Sequence, residues 1–225
     1  MNYLAYLIVF GAAAYWLLVT IVGVLSVRKM RNPEALLEQV HEPERLEDAQ
    51  GISAWARAQD FALDSQFDFD SIIGCGGIKL AVEGWYSPAR KCFLMHYHAA
   101  DKSYYEFVST LEGGYSLSSS GSADSLSLPF PPGVFTQAFE GMPLDELLRE
   151  HEKALAFFRQ RFGVEPAAPD QPLRDLLLEA VKAQMHYVQS QPLWYLQIAW
   201  WHLVRRRIQK NKSVIEQIER LDKDQ

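Results

Sequence analysis

The chain has 225 residues and a formal net charge of −6 at pH 7, and its residues are 48% hydrophobic and 22% charged. The acidic balance argues against a nucleic-acid-binding protein, which needs a basic surface to neutralise phosphates. The length allows one membrane span together with one or two compact domains, and the hydrophobic content is that of a protein with a folded core.

Residues 3–27 include no charged side chain. As a helix they would extend roughly 37 Å at about 1.5 Å per residue, which exceeds a hydrocarbon core of about 30 Å. No polar face interrupts the stretch, so a buried amphipathic core helix is disfavoured. A cleaved signal peptide is also disfavoured, because it requires a basic n-region, a shorter apolar core and a small-residue cleavage site. We therefore predict an uncleaved transmembrane anchor over residues 1–27.

Three basic residues, Arg28, Lys29 and Arg31, directly follow the predicted span. The positive-inside rule then places the C-terminal body in the cytoplasm and the N-terminus outside. We expect a single-pass membrane protein, with a bacterial inner membrane as its location. Cys75 and Cys92 fit a reducing cytoplasm as free thiols, and a disulfide between them would require the reverse topology.

The segment after the span is predicted to be a basic flank and acidic linker over residues 28–51, with a short helix over 34–40. An antiparallel α+β domain is predicted over residues 52–141 because β-forming residues there alternate with turn residues. It would begin with a helix over 52–61. The predicted strands begin near residue 66 and continue over 78–86, 92–99, 104–111, 115–119 and 134–139.

Strand-like alternation gives way to helical periodicity after Gly141, which predicts a helical region over residues 142–225. Pro143 and Pro172 mark the starts of two helices, and Gly163 marks the end of the first. A third helix is predicted from Pro192, and the charged residues 210–225 could prolong it. The predicted fold class is α+β: a single N-terminal transmembrane helix, an antiparallel β meander and a helical C-terminal part. Whether the helices pack on the sheet as one domain or form a second one is open.

His96 and His98 are the strongest candidate metal ligands. They stand at i and i+2 in a predicted strand, so both imidazoles project from one face. With Glu106, their order resembles the first metal motif of cupins, although His98 and Glu106 are further apart than in that family. The turn at residues 131–133 is similar to the second motif, but Thr136 stands where that motif has a histidine. The resemblance implies a metal site formed by His96, His98 and Glu106. The alternative is that the histidines lie on the polar face of a hairpin.

Two other segments are weaker candidates for chemistry. Cys75 lies in a glycine-rich turn over residues 74–77 and could be a nucleophile, but no family signature surrounds it and simple packing is the alternative. The serine-rich residues 116–127 lack a nucleophile-elbow motif and are predicted to form a loose loop. No cofactor is predicted.

Residues 192–204 contain three of the six tryptophans, and a basic stretch follows at once. This uncharged run is too short to span a bilayer, but aromatic residues with a basic end are typical of a helix that lies in the membrane interface. Packing of the same aromatic residues within the domain is the alternative. The predicted membrane-interface residues are Trp194, Trp200, Trp201, Arg205, Arg206 and Arg207.

These observations favour a membrane-anchored adaptor or scaffold over an enzyme. Its expected partners are the lipid bilayer and an unidentified protein, and no nucleic acid. The alternative is a metal-dependent enzyme or metal-binding domain that uses His96 and His98.

Overall fold

The computed structural model describes residues 3–30, 33–39, 50–71, 78–98 and 103–223. The helices are α1 (Tyr3–Lys29), α2 (Gln50–Ala58), α3 (Leu144–Phe162), α4 (Leu173–Ser190), α5 (Trp194–Trp200), α6 (Arg206–Gln209) and α7 (Val214–Lys223). The strands are β1 (Leu37–Gln39), β2 (Ala62–Ser71), β3 (Ile78–Ser87), β4 (Cys92–His98), β5 (Ser103–Leu111), β6 (Tyr115–Ser120) and β7 (Val134–Ala138). A long apolar helix, a sheet and C-terminal helices follow in that order, which confirms the predicted α+β fold.

Within the described residues, the strands form one seven-stranded sheet whose spatial order is the chain order. Neighbouring strands from β1 to β6 pair antiparallel, as expected of a meander. The last pair differs, because β7 runs parallel to β6. Residues 121–133 connect the two strands, and this is about the dozen residues that a parallel return needs.

Helices pack on both faces of the sheet. On one face, called the α4 face below, Phe67, Val82 and Met95 are buried in a cluster with Leu173 of α4. On the other, called the α3 face, the sheet contributes Leu94 and Phe107, and α2 and α3 contribute Ala56, Leu147 and Leu148. Burial of apolar side chains on alternating positions of β2 to β5 is therefore what holds the sheet between its helices.

The chain just after α1 differs from the prediction. Pro33–Leu36 form a 3-10 turn and Leu37–Gln39 form strand β1, where the sequence predicts a helix over residues 34–40. Two isolated helical turns are marginal in water, whereas pairing with β2 satisfies the backbone of Leu37–Gln39. Most of the predicted acidic linker, residues 40–49, lies outside the described residues, as do Cys75 and its glycine turn.

The serine-rich stretch is also more ordered than predicted. Tyr115–Ser120 form β6, and Ala123–Leu126 form a 3-10 turn. Ser119 is buried because its hydroxyl has partners, 2.8 Å from both Gln137 Nε2 and His151 Nδ1. The small serine side chain lets β6 lie close to α3, and its hydrogen bonds leave no unpaired hydroxyl at that contact.

The C-terminal helices begin and end close to the predicted positions. Gly163 ends α3 with φ 67°, a left-handed conformation that favours glycine, and donates its N–H to the Arg159 carbonyl. The third predicted helix is divided: residues Trp201–Arg205 form a π-helical turn between α5 and α6. Asn211, with φ 60°, then separates α6 from α7, so the charged end does not prolong the same helix.

Candidate functional site

Helix α1 extends away from the packed body and exposes its apolar side chains. Leu4, Leu7 and Phe10 are each 70% exposed. Among the described residues, α1 is the one helix long and apolar enough to cross a membrane. Water would solvate such a surface poorly, so the exposed part of α1 needs an apolar environment.

The last turns of α1 belong to the body. Val27 and Met30 are buried in a cluster with Ile198 of α5 and Val188 of α4. An alanine Cβ at Gly23 would lie 2.1 Å from Ile198 Cγ2, so the two helices are in contact where α1 has no side chain. The apolar helix and the body are therefore joined by packing as well as by the chain.

Helix α5 presents apolar side chains to solvent next to this contact. Ile198 and Ala199 are buried, whereas Leu193, Leu196 and Trp200 are 58%, 57% and 48% exposed. Leu196 and Trp200 are four positions apart, which places them on one side of α5, and Leu193 immediately precedes the helix. An exposed apolar stripe therefore lies beside the last turns of α1.

The six residues predicted for a membrane interface have different environments. Trp200 is exposed, Trp194 is half-buried against the α1–α4–α5 cluster, and Trp201 is buried inside that cluster. Trp201 therefore packs inside that cluster and does not present its ring on the surface of the body. Leu193 and Leu196, which the prediction omits, are more exposed than any of the three tryptophans.

The three arginines of the predicted interface also differ. Arg206 forms an ion pair with Asp124. Arg205 is half-buried, and burial lowers the pKa of its guanidinium. Arg207 is exposed, as are Arg28 and Lys29 at the end of α1. Arg31, the third residue of the predicted topology signal, lies outside the described residues.

The α3 face carries a group of polar side chains on β2 to β5, called the histidine cluster below: Gln66, Glu83, His96, His98 and Ser103. Antiparallel register brings them together, since Glu83 lies opposite both Gln66 and His96, and His98 lies opposite Ser103. His96 and His98 project from the same face, with ring centroids 5.9 Å apart. The expected same-face placement of the two histidines is thus observed.

His96 is the centre of this cluster. Its Nε2 lies 2.8 Å from Ser103 Oγ, and its Nδ1 lies 3.6 Å from Glu83 Oε2. The ring stacks on Tyr105 at a centroid distance of 5.1 Å. Glu83 Oε1 in turn accepts a hydrogen bond from Gln66 Nε2 at 3.1 Å. The imidazole is therefore held between a carboxylate and a hydroxyl.

Unsatisfied polar atoms concentrate on the same face. In the described part of the chain, seven buried side-chain polar atoms have no hydrogen-bond partner, and five of them are on β2 to β4: Asp68 Oδ1, Glu83 Oε2, Trp85 Nε1, His96 Nδ1 and His98 Nδ1. A buried polar atom without a partner costs about 1–3 kcal/mol. Such a concentration requires an explanation, and function is one of the accepted ones.

Glu106, the third predicted metal ligand, does not join the two histidines. It lies opposite Met95 in the sheet and so projects from the α4 face, whereas His96 and His98 project from the α3 face. There it accepts a hydrogen bond from Ser118. Burial raises its pKa, while hydrogen bonds from Ser118 and Tyr97 act in the opposite direction.

The predicted three-residue metal set is therefore not assembled. Across the ranges that the structure describes, no group of three or more His, Cys, Asp and Glu side chains is arranged to hold a metal ion. The sheet with its strands in chain order also differs from the double-sheet jelly roll of cupins.

Sequence reasoning missed Glu83 and Ser103, although a signal for Glu83 was present. The short turn at residues 88–91 pairs Ser87 with Cys92, and counting back along both strands pairs Glu83 with His96. Four residues also separate His98 from Ser103, so the same count pairs these two, but the predicted strand over 104–111 begins one residue too late to include Ser103.

An open groove of about 670 Å³ lies at the end of β7. Four glutamates line it: Glu140 in the turn after β7, Glu146 and Glu150 of α3, and Glu216 of α7. Three of them are already paired with cations: Glu140 with Lys210, Glu146 with Arg149 and Glu150 with Lys153. The ion pairs neutralise much of the charge, so the groove offers no concentrated acidic site.

No family model matches the chain, and no curated protein and no solved structure is significantly similar to it.

Proposed function

We propose that this protein is a single-pass membrane protein whose body lies on the cytoplasmic leaflet as an adaptor or scaffold for a lipid or protein partner. The observation that carries the proposal is the contact between Gly23 of α1 and Ile198 of α5. This contact places the exposed apolar helix α1 beside the exposed side chains of Leu196 and Trp200 on α5.

The depth of this contact follows from the length of α1. About 20 residues, at about 1.5 Å each, cross a hydrocarbon core of about 30 Å. A span that begins at Tyr3 therefore ends close to Gly23, so α5 would lie at the depth of the headgroups. The exposed Leu196 and Trp200 have the chemistry of that layer, where aromatic and aliphatic side chains insert at the boundary with the acyl chains.

The same packing supports an anchor that is retained. Val27 and Met30 are buried against α4 and α5. Removal of α1 would expose the apolar residues that now cover them, Val188 and Ile198 among others. A body that depends on the end of its own anchor favours a permanent span over a cleaved leader.

Charge supports the cytoplasmic orientation. Arg28 and Lys29 are exposed at the end of α1, and Arg207 is exposed downstream of α5. Cations at these positions would meet the anionic headgroups of the inner leaflet and would resist translocation.

Nitroxide accessibility in reconstituted vesicles tests the membrane contact. Spin labels would be placed at Leu196→Cys on α5 and, as a matched control, at Gln160→Cys, which is exposed on α3. The full chain would carry Cys75→Ser, and Cys92 is buried. We expect the label at 196 to collide more with oxygen, which enriches in lipid, than with a polar nickel chelate. Equal accessibility at the two positions would contradict the proposal.

The orientation has its own test. In intact cells, Gln160→Cys on a cytoplasmic body should react with a membrane-impermeant maleimide only after permeabilisation. Labelling without permeabilisation would place the body on the other side.

The second candidate, a metal-binding domain, rests on the common face of His96 and His98. The test is the metal content of the purified full chain after dialysis against Zn²⁺. One equivalent that is lost in both His96→Ala and His98→Ala would favour this candidate. Because Glu106 lies on the other face, Glu106→Ala should leave that content unchanged.

A further inference from the structure

The histidine cluster contains an ordered series of three side chains that leads from the interior to the surface. Glu83 and His96 are 4% and 3% exposed, whereas Ser103 is exposed. We propose that Ser103, His96 and Glu83 act as nucleophile, general base and orienting carboxylate in the hydrolysis of carboxylic esters.

The two nitrogens of His96 face the groups that such a reaction needs. Nε2 lies 2.8 Å from Ser103 Oγ, which is the distance of a nucleophile from its base. Nδ1 faces Glu83 Oε2 at 3.6 Å, and neither atom has a hydrogen-bond partner among the residues that the structure describes. A carboxylate on that side favours the tautomer with the proton on Nδ1, which leaves Nε2 free to accept the Ser103 proton.

The surroundings hold this geometry. Tyr105 stacks on the His96 ring and limits its rotation. Gln66 donates to Glu83 Oε1, which leaves Oε2 directed at the imidazole. All of these residues lie on strands of the sheet, and sites on strands are positioned more firmly than sites on loops. Carboxylate–histidine–hydroxyl sets of this kind occur on unrelated folds and are recognised by geometry.

The reaction balances with water as the second substrate. As Ser103 Oγ forms a bond to the ester carbonyl carbon, its proton moves to His96 Nε2. The bond from that carbon to the alcohol oxygen then breaks, and His96 returns the proton to the departing alkoxide. Water attacks the acyl-serine in the same way, with His96 again as base, and releases a carboxylic acid and the free Ser103 hydroxyl.

This activity goes beyond anchoring and would make the tethered body an enzyme and not only an adaptor. The two proposals can fail separately. The spin-label experiment concerns α1 and α5, and the experiment below concerns β3 to β5.

The test is covalent labelling of the purified full chain in detergent with a fluorophosphonate, which reacts with activated serines. We expect one label per chain, located on Ser103 by peptide mapping and lost in Ser103→Ala. Ser190→Ala, at another exposed serine, is the matched control and should label like the wild type. No labelling of the wild type, or labelling that persists in Ser103→Ala, would overturn the proposal.

The base is tested by His96→Asn, which should slow labelling by about 10²–10⁴-fold. Because His96 is buried and its variant could unfold, Ser103→Cys provides a second measurement in the otherwise unchanged chain. A thiol next to His96 should react with iodoacetamide several-fold faster at pH 7 than Ser190→Cys, since a neighbouring imidazole promotes the thiolate. Equal rates at the two positions would show that His96 does not activate position 103.

Glu83 acts through His96 and is a positioning residue. Glu83→Gln keeps the size and can still accept the hydrogen bond from Gln66, but it lacks the negative charge. We expect it to slow labelling at least tenfold, with partial recovery in Glu83→Asp, while the thermal unfolding midpoint of Glu83→Gln stays near that of the wild type. If Glu83→Gln labels at the wild-type rate, the carboxylate has only a structural role.

Discussion

Ser119 Oγ lies 2.8 Å from Nδ1 of His151, which joins β6 to α3 in the fully buried interior. The other ring nitrogen, Nε2, lies 3.0 Å from Ser109 Oγ on β5. Both nitrogens thus face hydroxyls, and no carboxylate of the described residues is paired with the ring. Burial lowers the pKa of His151 to about 3, so the ring is neutral in the folded protein.

This interior histidine makes the body sensitive to acid. Between the ordinary pKa of 6.5 and about 3, the unfolded chain binds a proton at His151 that the folded chain does not. Stability is therefore lost as the pH falls through this window, by about 1.4 kcal/mol per pH unit. In His151→Gln, which has no titrating group, the unfolding free energy measured in urea between pH 6 and pH 4 should fall less steeply by about this amount.

The contribution of Glu106 has the opposite sign. Its pKa is raised above 4.5 by burial, so the folded chain binds a proton that the unfolded chain has lost. The protonated Glu106 carboxyl therefore contributes to the free energy of unfolding at low pH, and this contribution is lost as the pH rises from 4.5 through the raised pKa. Glu106→Gln should therefore gain stability relative to the wild type as the pH increases from 4.5 to 7. The urea titrations described for His151→Gln, extended to pH 7, measure this effect, and a gain toward low pH would contradict the assignment.

The α1–α5 contact predicts different outcomes for two glycines of one helix. Gly23→Ala brings a Cβ within 2.1 Å of Ile198 Cγ2, whereas an added Cβ at Gly11 meets no atom of the described residues within 4 Å. Overpacking of this kind costs about 1–3 kcal/mol. Thermal unfolding in detergent should show destabilisation for Gly23→Ala and none for Gly11→Ala. When Gly23→Ala is combined with Ile198→Ala, the loss of stability should be smaller than the sum of the losses in the two single variants.

Cys92 should be chemically inert in the folded protein. It is 1% exposed, and burial raises the pKa of its thiol to about 12. Only the thiolate reacts readily, so iodoacetamide at pH 8 should leave Cys92 unmodified in buffer and modify it in high concentrations of urea. Peptide mass mapping separates it from Cys75. Rapid modification of Cys92 in buffer would show that β4 opens frequently.

Most of the fold could be predicted from the sequence, because the patterns that indicate its helices and hairpins are local. Residues 3–27 indicate a long apolar helix by composition alone, and Gly163 marks the end of α3 through a left-handed conformation that favours glycine. The hairpin at residues 88–91 fixes the pairing of β3 with β4. Where local and tertiary preferences compete, tertiary packing decides: residues 37–39 pair with β2 instead of forming a helix.

The candidate site was harder to predict, because its make-up depends on which face of the sheet each side chain projects from. His96, His98 and Glu106 are close in the sequence, yet a difference of one position in register separates Glu106 from both histidines. Glu83 lies 13 positions before His96 and nevertheless faces it. The burial of Trp201 beside the exposed Trp200 likewise follows from the packing of α1 on α5, which the pattern of residues 192–204 does not contain.

If α1 spans a bilayer as proposed, the packing of Gly23 against Ile198 would couple the orientation of the body to the tilt of α1. The apolar run of α1 is several residues longer than a hydrocarbon core of about 30 Å requires, and such a helix tilts further as the membrane becomes thinner. The last turns of α1 pack against α4 and α5, so a change in the tilt of α1 would be transmitted to the body through this packing. In a thinner membrane the whole sheet would lean with the helix, which would change the height of Ser103 above the lipid surface.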